Sequence, residues 1–146
     1  MESNSAPATS GNNLEHKIVI ILREDLEPWQ RLNVAAFTVS GIAAQPGIVG
    51  ELYKDASSQE YLPMFNEPVM IYGADSAQLA RAAERARSRD VQYSVFTEEL
   101  FHTFNDVDNR AAVAKVPTEE LNLVGMAMRC ERKTADKIIK GLKFLR

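Results

Sequence analysis

Two periods of hydrophobic patterning alternate along this chain, and their order predicts its elements. The run Lys17-Ile18-Val19-Ile20-Ile21-Leu22 is continuous after its first residue and rich in β-branched side chains. Such a run predicts a central strand buried on both faces, with Val19 and Ile20 on opposite sides. It leads into Arg23-Glu24-Asp25-Leu26-Glu27-Pro28. Pro28 suits the first turn of a helix, and Asp25 or Glu27 suits its positive N-terminal end. Helical spacing then takes over across 28–44, with Leu32, Ala35, Ala36, Val39, Ile42 and Ala43 as the apolar set, until Gln45-Pro46-Gly47 stops it.

The same reading continues to the end of the chain. A short strand is admitted at 48–53, and 69–72 reads as the next strand. Ser76 is expected to cap a helix over 77–89, with Leu79, Ala82, Ala83 and Ala86 inward and Arg81, Glu84, Arg85 and Arg87 in water. Segment 91–96 is a third strand and 121–128 a fourth. Residues 97–120 form a connection too long to be idle in a compact domain, so it should act as a functional loop or hold a short helix. A last helix is expected over 133–141, with Ala135, Ile138 and Ile139 inward and Gly141 at its end. Leu142–Leu145 should tuck onto the body. Strands alternating with helices define an α/β class, expected as a three-layer α/β/α sandwich around a mixed sheet of four or more strands. Residues 1–14 read as a disordered lead-in and 15–146 as one α/β domain.

Composition narrows the class further. With 146 residues, 45% apolar and 25% charged, the chain can bury a core without staples. Cys130 is its only cysteine, so no internal disulfide can form. No apolar run approaches the ~20 residues that span a bilayer, and the N-terminal stretch lacks a signal layout. A cytoplasmic protein without membrane attachment is therefore expected. The net charge of −3 argues against tight nucleic-acid binding, although residues 129–146 carry seven basic against two acidic side chains. That surplus reads first as a solvated face of the last helix.

Tests for specific chemistry are mostly negative. A Gly-x-Ser-x-Gly elbow is missing, and Gly50 and Gly73 lack the partners of a phosphate loop. His16 and His102 are too far apart in sequence to give ligand spacing, so no metal and no cofactor are expected. A calcium loop starting at Asp106 would need glycine at 111 and glutamate at 117, where Ala111 and Pro117 stand. Asp106, Asp108, Asn109 and Arg110 fit a structured turn with Arg110 paired to Asp106 or Asp108. Arg129, Arg132 and Lys133 around Cys130 favour a lower pKa, but a lone cysteine at a strand end reads first as inert. The carboxylates Glu24, Asp25, Glu98 and Glu99 lie just past strand C-termini, the edge where open α/β sheets bind ligands. Trp29 stands nearby as an aromatic wall or a half-exposed helix-start residue.

Two resemblances follow from particular motifs. Arg23-Glu24-Asp25-Leu26 after the first strand, Val34-Ala35-Ala36 in the first helix, and Lys137-Ile138-Ile139-Lys140-Gly141-Leu142-Lys143-Phe144-Leu145 at the end resemble the type II peptidyl-tRNA hydrolases of archaea and eukaryotes. Phe96-Thr97-Glu98-Glu99, Asp108-Asn109-Arg110-Ala111-Ala112-Val113 and Pro117-Thr118-Glu119-Glu120-Leu121 are similar to a mainly bacterial domain family of unknown function, number 2000. The resemblance implies the hydrolase scaffold. It does not carry the hydrolase chemistry, because Asn33 stands where that family has its catalytic lysine and Arg31 is the nearest cation. Phe37 and Ser40 replace a glutamine and a histidine. Arginine does not change protonation near neutral pH and cannot replace the lysine.

The expected site is a cleft between the start of the first helix and the 97–110 loop. It would bind a small polar ligand through Asp25, Trp29, Arg31, Asn33, Glu98, His102, Asp108, Asn109 and Arg110. Arg110 should pair a carboxylate of the cleft wall, with Asn109 or His102 at the opening. Peptidyl-tRNA hydrolysis with a rebuilt site and a non-catalytic regulatory or interaction module are the alternatives. Whether the chain is an enzyme stays open, as does a homodimer.

Overall fold

A computed structural model describes residues 15–146. The expected N-terminal lead-in lies outside the described residues. The first strand, β1 (His16–Arg23), runs at the centre of a mixed sheet. It pairs in parallel with β4 (Val69–Ala74) and antiparallel with β6 (Leu123–Glu131). Beyond β6 lies β5 (Tyr93–Thr97), and beyond β4 the two-residue β7 (Lys143–Phe144), giving the order β5-β6-β1-β4-β7. A separate two-stranded hairpin joins β2 (Tyr53–Lys54) to β3 (Glu60–Tyr61).

Both faces of β1 are covered, as its sequence demands. Val19 is fully buried and Ile20 is 3% exposed. Val19 and Ile21 join a cluster with Leu79, Ala82, Ala83 and Ala86 of α2 (Ser76–Ser88) and with Ala135 and Ile138 of α4 (Arg132–Ile138). Ile18, Ile20 and Leu22 join the opposite cluster with Val34 and Ile42 of α1 (Pro28–Ala43). One apolar run therefore seats helices on both sides of the sheet.

α1 starts at Pro28 behind Glu27, whose backbone N–H donates to the Gln30 side chain at 2.9 Å. Its fully buried face is Val34, Thr38 and Ile42, so the expected stripe holds at Ile42 and in part at Ala35 and Val39, which pack against the same cluster, and fails elsewhere. Leu32 is 74% exposed and Ala36 is also exposed. The helix lies so close to β6 that a Cβ at Gly125 would overlap Val34 Cγ1. A bond from Ser94 Oγ to the Thr38 carbonyl at 2.6 Å ties it to β5.

Several boundaries differ from expectation for local reasons. The helix cap is Asp75, accepting from Gln78 N–H at 2.8 Å, and Ser76 is already helical. Stretch 48–53 contributes one bridge, Val49 to Phe65, and the strand β2 begins only at Tyr53. The third strand starts at Tyr93 because Val91 N–H still bonds back to Ala86. β6 begins at Leu123 and runs to Glu131, three residues past the expected end, since β1 offers partners down to His16. α4 stops at Ile138, and Gly141 takes a positive φ in the turn beyond it. In the 97–120 connection the expected short helix is present as α3 (Asp106–Ala114), between a 3-10 turn (Glu98–His102) and a second one (Thr118–Glu120).

The basic surplus is not all a solvated helix face. Arg129 lies on β6 and forks onto Glu67 (Nε to Oε1 2.9 Å, Nη2 to Oε2 2.5 Å), whose side chain is 2% exposed. The opposite ion pair joins buried Lys17 to Asp136 at 3.2 Å. The lowering that basic neighbours favour for the Cys130 pKa does not occur. Burial raises its thiol pKa and outweighs the lowering by Lys17 and Arg129, so the reactive thiolate is disfavoured.

Candidate functional site

The outward face of α1 and the helical connection that follows β5 form a groove. Trp29, Asn33 and Phe37 recur every four residues along α1 and stand on one side of it. They face Leu100 and Phe101 of the 3-10 turn, then Phe104, then Asn105, Asp106 and Asn109 at the start of α3. Phe96 of β5 forms the floor. This cavity measures ≈ 350 Å³. It shares Phe37, Phe96, Leu100, Asp106 and Asn109 with an adjacent second cavity of ≈ 550 Å³ lined also by Ser40, Val95, Arg110 and Val113. Both fall within the size range of small-molecule sites.

Five aromatic side chains, Trp29, Phe37, Phe96, Phe101 and Phe104, stand in the walls. Phe96 and Phe101 lie 5.0 Å apart between centroids, with Trp29 edge-on to Phe101 at 5.9 Å and Phe37 edge-on to Phe96 at 6.1 Å. Trp29 and Phe37 remain 58% and 57% exposed, so the aromatic lining opens to solvent. The polar groups sit among these rings. Asn109 accepts from Thr103 Oγ1 through its carbonyl oxygen, which leaves its NH₂ unengaged among the described residues. The Asn33 amide likewise has no protein partner there. Asn105 caps α3 by accepting from Asp108 N–H at 2.8 Å, and its own amide donates to the Asp108 carboxylate at 3.0 Å.

The nine residues singled out from sequence divide accordingly. Trp29, Asn33, Asn109 and Arg110 line the groove. Arg110 pairs with Asp106 one turn earlier on its own helix, and both carboxylate and guanidinium border the cavity. Asp108 serves the α3 cap. His102 ends the 3-10 turn, exposed and off the lining. Asp25 and Glu98 flank Arg23 instead, at 2.6 Å and 3.0 Å. Partly exposed Arg23 feels its burial first, but the two carboxylates prevail and raise its pKa. Arg31 donates to three backbone carbonyls, those of Glu24 (2.5 Å), Leu26 (3.1 Å) and Arg146 (2.6 Å). Its guanidinium thus fastens the β1–α1 turn to the last residue.

Phe37, Phe96, Leu100, Phe101 and Phe104 are lining residues that sequence reasoning passed over. The signal was α1's second apolar face, Trp29 and Phe37 flanking Asn33, opposite Val34, Thr38 and Ile42. Among the described residues no group of three or more His, Cys, Asp or Glu side chains could hold a metal ion. None of their helices is long and apolar enough to cross a membrane.

A mixed five-stranded α/β sheet with an aromatic groove at its β5 side defines the class of the protein. Residues 16–146 match the model of a family described as protein of unknown function (DUF2000), and the chain belongs to that family. A solved structure of the protein of unknown function Atu0240 from Agrobacterium tumefaciens strain C58 is similar, with 41% identity and a TM-score of 0.87. The match covers 90% of this chain and 98% of that one. No curated protein matches.

Proposed function

We propose that this chain is a ligand-binding protein whose site is the groove between α1 and the 98–114 segment. The carrying observation is the combination of open aromatic walls with the uncommitted amides of Asn33 and Asn109. Rings or apolar side chains would lie against Phe37, Phe96 and Phe101, and the amides would fix the polar end of the same molecule. The ligand is therefore amphipathic: the small polar compound expected from sequence gains an apolar part. We read the scaffold as a three-layer α/β/α sandwich of the type II peptidyl-tRNA hydrolase kind, working in the cytoplasm with at most weak affinity for nucleic acid. No hydrolytic step is assigned. Asn33 occupies the lysine position, and the nearest cation, Arg31, is held by three carbonyls.

The test is ¹⁵N-resolved NMR titration with benzamide and indole. Binding should move the Trp29 indole N–H and the side-chain amides of Asn33 and Asn109 together, and Phe37→Ala should weaken it. Shifts confined to other surfaces would refute the assignment. Turnover of a peptidyl-tRNA would refute the non-hydrolytic reading.

A further inference from the structure

The groove has one property that a site for small molecules does not need. Val95 and Phe96 both line its larger part. They are neighbours on β5, and neighbouring side chains leave opposite faces of a strand. Their packing agrees: Val95 packs with the α2 cluster and Phe96 with the α1 cluster. A cavity touching both must wrap the strand's open edge. β5 is the outermost strand on that side, paired only with β6. In an antiparallel pair every second residue turns its N–H and C=O away from the partner. Among the described residues no other backbone segment bonds that edge of Tyr93–Phe96.

We propose, building on the groove reading above, that its ligand is an extended polypeptide segment that adds to the sheet as a strand along β5. Main-chain hydrogen bonds to the β5 edge supply register, and alternate apolar side chains enter the aromatic groove against Phe37, Phe96 and Leu100. Charge does not select the segment. Asp106 and Arg110 are the only charged residues of 98–110 that line the groove, and they pair with each other. The intervening side chains of the segment point away from the groove and are met by no net charge there. A second copy of this chain does not fit as well. α3 stands alongside the edge and lines the same gap, so two β5 edges would approach with two α3 walls between them.

An acetylated and amidated heptapeptide alternating lysine with valine, phenylalanine and valine is the probe. NMR should show backbone amides of β5 shifted together with the Trp29 indole. N-methylating the amides on one edge of the probe should weaken binding by roughly tenfold or more, whereas methylating the other edge should not. Replacing its valines and phenylalanine by serines should abolish binding, and replacing its lysines by glutamates should not. Equal binding of both methylated forms at the groove would overturn strand addition and leave the groove reading standing. The same holds if benzamide and indole bind there and the peptide does not. Peptide-free protein that is already dimeric with protected β5 amides would also overturn the proposal. Failure of every probe at the groove would remove both readings.

Discussion

Replacing Gly125 by alanine tests how closely α1 is seated on the sheet, and thereby what fixes one wall of the groove. Gly125 lies on β6 opposite Leu22 of β1 and Phe96 of β5. An added Cβ would overlap Val34 Cγ1 and come within 3.2 Å of Leu22 Cδ2. Val34 is fully buried and Leu22 is 1% exposed, so neither can swing into solvent. Overpacking of this kind costs about 1–3 kcal/mol. The lower chain entropy of alanine returns about 0.5–1 kcal/mol. A net loss of about 1 kcal/mol is expected, or roughly 2–4 °C in Tm for a chain of this length. Val34→Ala removes the opposing methyls and should cost about 2–3 kcal/mol by itself. The methyl added by Gly125→Ala would occupy part of that vacated space, so the double variant should be no less stable than Val34→Ala. The coupling is then at least about 1 kcal/mol, readable by urea denaturation followed through the single tryptophan, Trp29, and circular dichroism. Additivity within ~0.5 kcal/mol would show that the Val34 contact does not set the helix position.

Three other perturbations address different parts of the molecule. Glu67→Ala leaves the Arg129 guanidinium without its buried partner and should cost about 2–4 kcal/mol in chemical denaturation, part of which Glu67→Ala/Arg129→Met should recover. The Cys130 thiol, pushed up mainly by burial, should react with a disulfide reagent more slowly than free cysteine near neutral pH, with a rate midpoint above the ordinary thiol value. Because its folded pKa is the higher one, its contribution to stability is present below the unfolded thiol's pKa and is lost as pH rises through the folded value. In the β2–β3 hairpin, the Tyr61 hydroxyl and then the Gln59 and Ser57 N–H groups hold the Asp55 pKa low, so its ¹³C carboxyl titration should fall below the usual aspartate range. Asp55→Ala should broaden the amide signals of that hairpin and leave β1 unaffected.

The elements with a continuous apolar run or a clear inward stripe were legible from sequence. β1 fixed its own central place, since nothing but a strand covered on both faces accommodates Ile18 to Leu22. α2 and α4 put the expected residues inward because alanine and isoleucine at helical spacing have one face each. α1 was harder: it has two apolar faces, and only packing against β6 at Gly125 decides that Val34, Thr38 and Ile42 are the buried one. The groove followed the same divide. Its place between α1 and the connection was readable, and so was Trp29. Its phenylalanine lining was not, because aromatic residues near strands and helices ordinarily signal core. A short helix in 97–120 was foreseen, but its place was hidden behind Asn105-Asp106-Val107-Asp108-Asn109, a composition that suits turns; there Asn105 acts as the cap that lets the following residues become helical. Strand order depended on long-range pairing that no local pattern encodes.

The account rests on the groove beside Phe37, and a crystal structure after soaking with benzamide tests it most directly. Density for the ring between Phe37, Phe96 and Phe101, with its amide within hydrogen-bond range of Asn33 or Asn109, is the predicted result. An empty groove in crystals that take up the compound only elsewhere, with the groove open to solvent in the lattice, would contradict it.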